Sequence, residues 1–199
     1  KIIANGILKG FLMQHRLRLI EPTNINDYLI YIIFNKGVFV PEECEKILNL
    51  KSQGLIGDET RDLFLWGNRQ ERLSFCLETE GLFTKLHYLI EEVNRHFFRF
   101  EIELPTQLRY VEYQKGQSID WHADLNMGPT RKLTSFLFLS PLEPSMGGLF
   151  HWSPGFKDTD YQHQGTLLTF PSYLPYRMRP IKKEVRKMLM MWSHGPCFV

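Results

Sequence analysis

The stretch Trp121-His122-Ala123-Asp124 decides how this chain of 199 residues is interpreted. Side chains two residues apart on an extended strand point to the same face, so His122 and Asp124 present an imidazole and a carboxylate side by side. Such a pair can take two adjacent positions on one metal ion. It forms half of the two-histidine, one-carboxylate set that holds non-haem Fe(II) and leaves positions open for oxygen and substrate. The sequence therefore predicts a metal centre at a strand end, completed by a ligand further along the chain.

The composition is that of an ordinary globular domain. Hydrophobic residues make up 43% of the chain, charged residues make up 23%, and the formal net charge of +2 is too small to predict a nucleic-acid partner. Three cysteines without a Cys-x-x-Cys pair favour a reducing compartment over a disulfide framework. No apolar run is long enough to span a bilayer. We therefore expect an intracellular, cytoplasmic protein with no membrane segment, whose oligomeric state the sequence leaves open.

The first half of the chain predicts two helices. Pro41 suits a first helical position and two acidic residues follow it, which predicts a helix that ends near Ser52. Apolar residues recur at helical spacing from Leu82 to Phe98 and predict the second helix. Residues 1–36 are predicted to form an N-terminal extension packed on the core, with a strand at 28–34. Residues 37–199 are predicted to form one domain.

Short β-rich runs alternate with turn residues after Phe100. The predicted strands span 107–113, 118–122, 132–139, 148–152, 166–170, 176–179 and 186–192. Strands at this spacing are typical of a sandwich or barrel. Helices that precede the strands give an α+β fold, in which the N-terminal helices pack on one sheet of a β-sandwich.

An ordered series of short motifs runs through residues 37–196. Its members are Tyr113-x-x-Gly116, Trp121-His122-Ala123-Asp124, Arg131-Lys132-Leu133-Thr134, Gly147-Gly148, the run from Gly165 to Ser172, Arg177-x-x-Pro180, Arg186, and Trp192-x-x-Gly195-Pro196. Each motif is weak alone, and the ordered series is specific. It resembles the 2-oxoglutarate- and Fe(II)-dependent dioxygenases, in particular their prolyl-4-hydroxylase-like branch. The resemblance implies a double-stranded β-helix (jelly-roll) core and a hydroxylase that uses Fe(II) and the cosubstrate 2-oxoglutarate.

The third metal ligand departs from the pattern of that family. The family's second histidine precedes the arginine that binds the cosubstrate by ten positions, and counting back from Arg186 leads to Tyr176. Three interpretations stay open: Tyr176 binds the metal as a phenolate, His122 and Asp124 hold the metal without it, or metal binding is weak or lost. Another histidine, His151 or His163, is a candidate substitute ligand.

The cosubstrate is expected to pair with Arg186, because a guanidinium binds a carboxylate through two hydrogen bonds. Strand alternation predicts that Arg186, Met188, Met190 and Trp192 share one face, and that Lys187, Leu189 and Met191 share the other. The resemblance implies that Tyr113 and Thr134 donate hydrogen bonds to the cosubstrate.

The substrate is expected to be a peptide side chain, a free amino acid or another small metabolite. Candidate substrate contacts are His151, Arg177 and Trp192, and a lid is a further candidate, formed by Trp66, Arg69, Arg72 and Phe75. Tyr176 also leaves two other functions open. One is a catalytically silent jelly-roll module that binds a partner, and the other is a phenolate-ligated metal oxidase that does not use 2-oxoglutarate.

Overall fold

The computed structural model describes residues 17–19, 32–52, 59–61, 71–75, 81–105, 108–127, 130–141, 143–153 and 162–198. Both predicted helices are confirmed. Helix α1 spans Pro41–Ser52, with two acidic residues in its first turn. Helix α2 spans Leu82–Val93 and continues into one π-helical segment, Asn94–Phe98. No helix of the described residues is long and apolar enough to cross a membrane.

The seven strands predicted after Phe100 are also confirmed, with ends that differ by at most two residues. The strands in chain order are β1 Leu17–Leu19, β2 Ile33–Asn35, β3 Glu59–Arg61, β4 Glu71–Phe75, β5 Arg109–Tyr113, β6 Ile119–His122, β7 Arg131–Phe138, β8 Phe150–Trp152, β9 Leu167–Pro171, β10 Tyr176–Met178 and β11 Arg186–His194. Strand β2 covers the end of the strand predicted at 28–34, whose residues 28–31 lie outside the described ones, and Ile32 precedes the strand. The domain boundary between residues 36 and 37 stays a prediction.

The strands form two antiparallel sheets. The described residues of the main sheet run in the order β1-β2-β9-β7-β11-β5-β4-β3, and those of the second sheet run in the order β6-β10-β8. One hydrophobic cluster joins the inner faces of both sheets, through residues such as Phe136 and Met190 from the main sheet and Phe150 and Tyr176 from the second. Two antiparallel sheets that enclose one core are the arrangement of a jelly roll.

Strand β11 divides the protein into two cores, as its alternating pattern predicts. Met188 and Met190 lie in the cluster between the sheets. Leu189 and Met191 lie in a second cluster, which also contains buried residues of α1 and α2 such as Ile47. Because successive side chains of a strand point to opposite faces, one strand supplies both cores. The predicted division of faces is confirmed.

Gly165 lies in the turn before β9 and contacts the backbone of the segment that precedes α1. Its φ angle is +77°, and a Cβ atom there would lie 1.8 Å from the carbonyl oxygen of Phe39. The backbone N–H of Phe39 donates to the Gly165 carbonyl at 3.1 Å, and the backbone N–H of Gly165 donates to the Phe138 carbonyl at 2.8 Å. The position therefore requires glycine for two reasons, its backbone conformation and the lack of space.

We predict that Gly165→Ala destabilises the fold more than a matched glycine substitution does. Gly116 also has a positive φ angle, +87°, and a Cβ atom there would meet nothing within 4 Å. Gly116→Ala should cost about 1–2 kcal/mol of unfolding free energy through backbone strain alone. Gly165→Ala should cost about 3 kcal/mol or more, because it adds a backbone clash. Urea denaturation measures both values, and equal costs would contradict this account of the turn.

Candidate metal centre

His122, the last residue of β6, lies on the inner side of the second sheet. It is opposite Tyr176 in the β6–β10 register, and 5% of it is exposed. Its Nδ1 atom lies 2.9 Å from the backbone carbonyl oxygen of Asp120. A carbonyl oxygen can only accept, so Nδ1 carries a proton, and in the neutral ring Nε2 keeps its lone pair. Nε2 lies 3.7 Å from Oδ1 of Asp124. A backbone bond on the other nitrogen is typical of histidines that bind metals.

Asp124 begins a short 3-10 helix, Asp124–Met127, and its carboxylate is 2% exposed. Oδ2 accepts the hydroxyl hydrogen of Thr134 at 2.8 Å and the indole N–H of Trp192 at 3.0 Å. The hydroxyl of Tyr176 donates to both carboxylate oxygens, at 3.3 Å to Oδ1 and 3.2 Å to Oδ2. Because most of these donors crowd Oδ2, Oδ1 is the oxygen that remains directed towards His122.

A relay of hydroxyl groups extends this network to the turn after β9. The single hydroxyl hydrogen of Thr134 goes to Asp124, so Ser172 is the donor in the 2.9 Å bond between the two hydroxyls. The backbone N–H of Leu125 donates to the Ser172 carbonyl at 2.9 Å. The turn that carries Ser172 therefore holds both the side chain and the backbone next to Asp124.

Tyr176 is fully buried on β10 beside His122, and the centres of the two rings are 4.3 Å apart. Three phenylalanine rings surround the phenol ring at centroid distances of 5.2–5.9 Å: Phe136, Phe150 and Phe170. The apolar rings fix the orientation of the phenol and leave its hydroxyl directed at Asp124. The structure thus brings together the three residues that the sequence predicts for the metal.

Two of the distances among the three donor atoms come close to the spacing that one metal ion requires. Ligand atoms on neighbouring corners of an octahedron with bonds of about 2.1 Å lie about 3 Å apart. The distances from Oδ1 of Asp124 to Nε2 of His122 and to the hydroxyl of Tyr176 are 3.7 and 3.3 Å. No group of three His, Cys, Asp or Glu side chains that could hold a metal occurs in the described part of the chain. An imidazole nitrogen and two oxygens are suitable donors for iron.

Arg186 begins β11 and is buried between the sheets, with 2% of it exposed. Its Nη2 atom donates to the Gln162 carbonyl at 3.2 Å, and its guanidinium lies 4.2 Å from the ring centre of Phe138. Nε and Nη1 have no hydrogen-bond partner among the described residues. Burial lowers the pKa of Arg186 to about 9. A buried guanidinium with two unused nitrogens fits the carboxylate of a bound acid.

Tyr113 and Thr134 differ in how they relate to Arg186. Tyr113 is fully buried, lies opposite Arg186 in the β5–β11 register, and directs its hydroxyl towards the sulfur of Met190 at 3.9 Å. Thr134 instead lies opposite Trp192, and its hydroxyl hydrogen is used by Asp124. In this structure the hydroxyl of Thr134 orients a candidate metal ligand, and its contact with the cosubstrate stays a prediction.

The candidate substitute ligands lie away from the three-residue cluster. His151 pairs with Arg177 across the β8–β10 ladder, and alternation turns both away from the face that carries Tyr176. His151 is therefore not the third donor at this site. His163 follows Gln162, whose carbonyl contacts Arg186 at the far end of β11 from Trp192.

The structure shows the surroundings of two of the predicted substrate contacts, Arg177 and Trp192. The Arg177 guanidinium lies 4.8 Å from the ring centre of Trp121, on the outer side of the second sheet. Trp192 binds Asp124, a role that the sequence pattern did not predict. The structure does not test whether His151, Arg177 or Trp192 contacts substrate. The candidate lid lies outside the residues whose side chains the structure describes.

Ser172 and Gln162 are site residues that the sequence pattern did not single out. Ser172 reaches the cluster only through Thr134, and Gln162 contributes a backbone carbonyl. Ser172 is the last residue of the motif that runs from Gly165 to Ser172, so the sequence contained a signal for it. Gln162 contacts Arg186 through its backbone carbonyl, and a backbone contact cannot be predicted from the residue type.

No protein-family model and no curated protein matches the chain, whereas solved structures do. A prolyl-4-hydroxylase from Pseudomonas putida is 14% identical with a TM-score of 0.64, over 83% of this chain and 92% of that one. A viral collagen prolyl hydroxylase from Paramecium Bursaria Chlorella virus-1, solved as a 2-oxoglutarate complex, is 17% identical with a TM-score of 0.63, over 83% and 96%. A Trichoplax adhaerens prolyl hydroxylase, solved with a hypoxia-inducible-factor peptide fragment, is 19% identical with a TM-score of 0.61, over 82% and 83%. The chain therefore has the fold of prolyl-4-hydroxylase-like oxygenases, as the motif series predicts.

We predict that Thr134→Val weakens metal binding, because it removes a donor that orients Asp124. Affinity should fall about 10- to 100-fold, the usual effect of losing such a supporting hydrogen bond. Ser135→Ala is the matched control, because Ser135 is the next residue on β7 and its buried hydroxyl bonds Thr169 at 3.0 Å instead. Calorimetric titration with Mn(II) measures both variants. Equal affinity in the two variants would show that Thr134 does not support a metal ligand.

Proposed function

We propose that this protein is a non-haem iron oxygenase that uses O2 and 2-oxoglutarate to hydroxylate a substrate. Arg186 is the observation that carries the proposal. It is a buried cation with two nitrogens that no described residue satisfies, and it packs on Phe138, a member of the core that also contains Tyr176. Burying such a group is costly unless an anion binds it, so its presence indicates a ligand with a carboxylate.

The residues present fit both groups that this reaction requires. His122, Asp124 and Tyr176 would hold the iron, and Arg186 would hold the distal carboxylate of 2-oxoglutarate, with Tyr113 beside it. When bound, these groups would supply the oxidation chemistry, in which 2-oxoglutarate loses CO2 and takes one oxygen atom of O2 to become succinate, while the other oxygen atom enters the substrate.

The protein itself provides orientation and a dry interior. The backbone of Asp120 fixes the tautomer of His122, and the donors from Thr134 and Trp192 fix the carboxylate of Asp124. Met188 and Met190 lie between Arg186 and Trp192 on the inner face of β11, and both are buried. Exclusion of water from this space strengthens electrostatic contacts and protects reactive species from side reactions.

The substrate that we propose is a peptide side chain, a free amino acid or a small metabolite. One protein of similar fold was solved with a peptide fragment, which supports a peptide as one of these classes. We further propose that residues 37–199 form the oxygenase domain, that residues 1–36 pack on it, and that the protein acts in the cytoplasm. The pairing of β2 with β9 supports the packing of the N-terminal part.

A specific observation also favours a second candidate, a catalytically silent binding module. The hydroxyl of Tyr176 donates to both oxygens of Asp124, so these two groups satisfy each other. Such a pair can persist in a domain that binds a ligand through Arg186 without any metal. Metal affinity and cosubstrate affinity, measured separately, distinguish the two candidates.

We predict that Arg186→Met makes the ligand-free protein more stable while it abolishes cosubstrate binding. Removal of an unsatisfied buried cation should raise the unfolding free energy by about 1–3 kcal/mol. The affinity for 2-oxoglutarate should fall at least about 100-fold, because its carboxylate loses a charged partner. Lys187→Met is the control on the opposite face of the same strand, and it should leave 2-oxoglutarate binding unchanged. Unchanged 2-oxoglutarate binding in Arg186→Met would remove the proposed role of this arginine.

We predict a visible absorption band in the Fe(III)-loaded protein, because a phenolate on ferric iron gives a charge-transfer transition. Tyr176→Phe and Tyr176→His should both lack the band. Tyr176→His should retain more iron than Tyr176→Phe does, because imidazole is also an iron donor. Tyr113→Phe is the control, since it alters another buried tyrosine of the same core and should keep the band. A wild-type protein that holds iron but shows no band would exclude Tyr176 as a phenolate ligand.

A further inference from the structure

The side chain of Gln162 is fully buried and binds the backbone at one edge of strand β8. Its Oε1 atom accepts the backbone N–H of Phe150 at 2.8 Å, and its Nε2 atom donates to the Phe150 carbonyl at 2.9 Å. The carbonyl of the preceding residue, Leu149, accepts from Arg179 on the β10 side. Among the described residues, no strand other than β10 pairs with β8. The amide therefore acts like a residue of a further strand, because it offers one acceptor and one donor side by side.

The backbone carbonyl of Gln162 extends this contact to Arg186. It accepts from Nη2 of Arg186 at 3.2 Å, while the guanidinium lies over the ring of Phe138. The ladder with β5 sets the backbone of Arg186 opposite Tyr113, but several rotatable bonds separate that backbone from the guanidinium. Contacts at the tip of the side chain must therefore set the position of the charge. Within the described part of the chain, the Gln162 carbonyl is the hydrogen-bond acceptor at this tip.

Strand β8 has supports of its own, so it can serve as the fixed side of the contact. Its three residues pair with β10. The ring of Phe150 is buried and packs on Phe136 at 5.0 Å and on Tyr176 at 5.9 Å between ring centres. The amide of Gln162 therefore places the segment that carries its own carbonyl, and it is not needed to place β8.

Gln164 offers a close comparison two residues further along the chain. Its Nε2 atom donates to the carbonyl of Leu139 at 2.9 Å, so it also ties this segment to the backbone of another one. Leu139 directly follows β7, in the main sheet, whereas Gln162 binds β8 in the second sheet. The two glutamines thus share a residue type and a kind of contact, and Gln162 is the one whose carbonyl contacts Arg186.

We propose that Gln162 is a positioning residue, whose side chain holds its own backbone carbonyl against Arg186 and so keeps the guanidinium ready for a carboxylate of 2-oxoglutarate. The inference rests on the proposed oxygenase function and adds a residue to it. A guanidinium that is already held loses less freedom when the ligand binds, which raises the affinity. The bond to Gln162 uses Nη2 and leaves Nε and Nη1 without a partner among the described residues.

The Nε–H signal of Arg186 in the 1H–15N NMR spectrum measures this positioning in the absence of any ligand. Its loss in Arg186→Met assigns the signal. Gln162→Met keeps a side chain of similar length and removes both hydrogen bonds to Phe150, so the Arg186 signal should shift and exchange faster with water. In Gln164→Met, the matched control, the signal should stay as it is in the wild type.

Calorimetric titration measures the consequence for binding. The affinity of the Mn(II)-saturated protein for 2-oxoglutarate should fall about 3- to 10-fold in Gln162→Met, the factor expected when one long side chain must be ordered during binding. The affinity for Mn(II) alone should stay unchanged, because β8 and Phe150 keep their place beside Tyr176. Gln164→Met should keep both affinities. Circular dichroism would show that each variant is folded.

An unchanged Arg186 signal or an unchanged 2-oxoglutarate affinity in Gln162→Met would overturn the proposal. A wild-type signal that exchanges too fast to be observed would also overturn it, because the guanidinium would then not be held. Equal losses of Mn(II) and 2-oxoglutarate affinity in Gln162→Met, or the same loss in Gln164→Met, would show a purely structural role.

Failure of the proposed function has a different signature. A wild-type protein that holds Mn(II) but binds no 2-oxoglutarate would contradict the oxygenase function. The Arg186 signal would then decide by itself whether Gln162 positions the guanidinium, since that measurement needs neither metal nor cosubstrate.

Discussion

The hydrogen bonding of the Asp124 carboxylate is the interaction on which the rest of the site depends. A carboxylate that is 2% exposed is costly to bury unless donors surround it. Its donors come from three different strands: Thr134 from β7, Tyr176 from β10 and Trp192 from β11. Strands β7 and β11 belong to the main sheet, and β10 belongs to the second. The carboxylate is therefore satisfied only when the two sheets close on each other, which links the fold directly to the site.

The second constraint is the alternation of β11. One face of this strand carries Arg186 at its start and Trp192 near its end, with two buried methionines between them. The opposite face packs in the same core as α1 and α2. A shift of one residue in the register would exchange the faces and would remove both the buried guanidinium and the indole from the interior. Packing of the helices on one face thus holds the candidate binding groups on the other.

Much of the fold and the central part of the site were predictable from the sequence, because both depend on local periodicity. The alternating strands, the helix that begins at Pro41, and the pair His122 and Asp124 follow from spacing along the chain. The contacts of Thr134 and Trp192 with Asp124 were not predictable, because they depend on how two sheets close over long sequence distances.

The central claim is that His122, Asp124 and Tyr176 surround one metal ion while Arg186 binds the far end of 2-oxoglutarate. The most direct test is a crystal structure of the protein grown without oxygen in the presence of Mn(II) and 2-oxoglutarate, with the metal located by anomalous scattering. The account predicts one ion bonded to Nε2 of His122, to Oδ1 of Asp124 and to the oxygen of Tyr176, and a carboxylate paired with Arg186. A metal bound elsewhere, or an Arg186 that contacts only protein in that crystal, would contradict it.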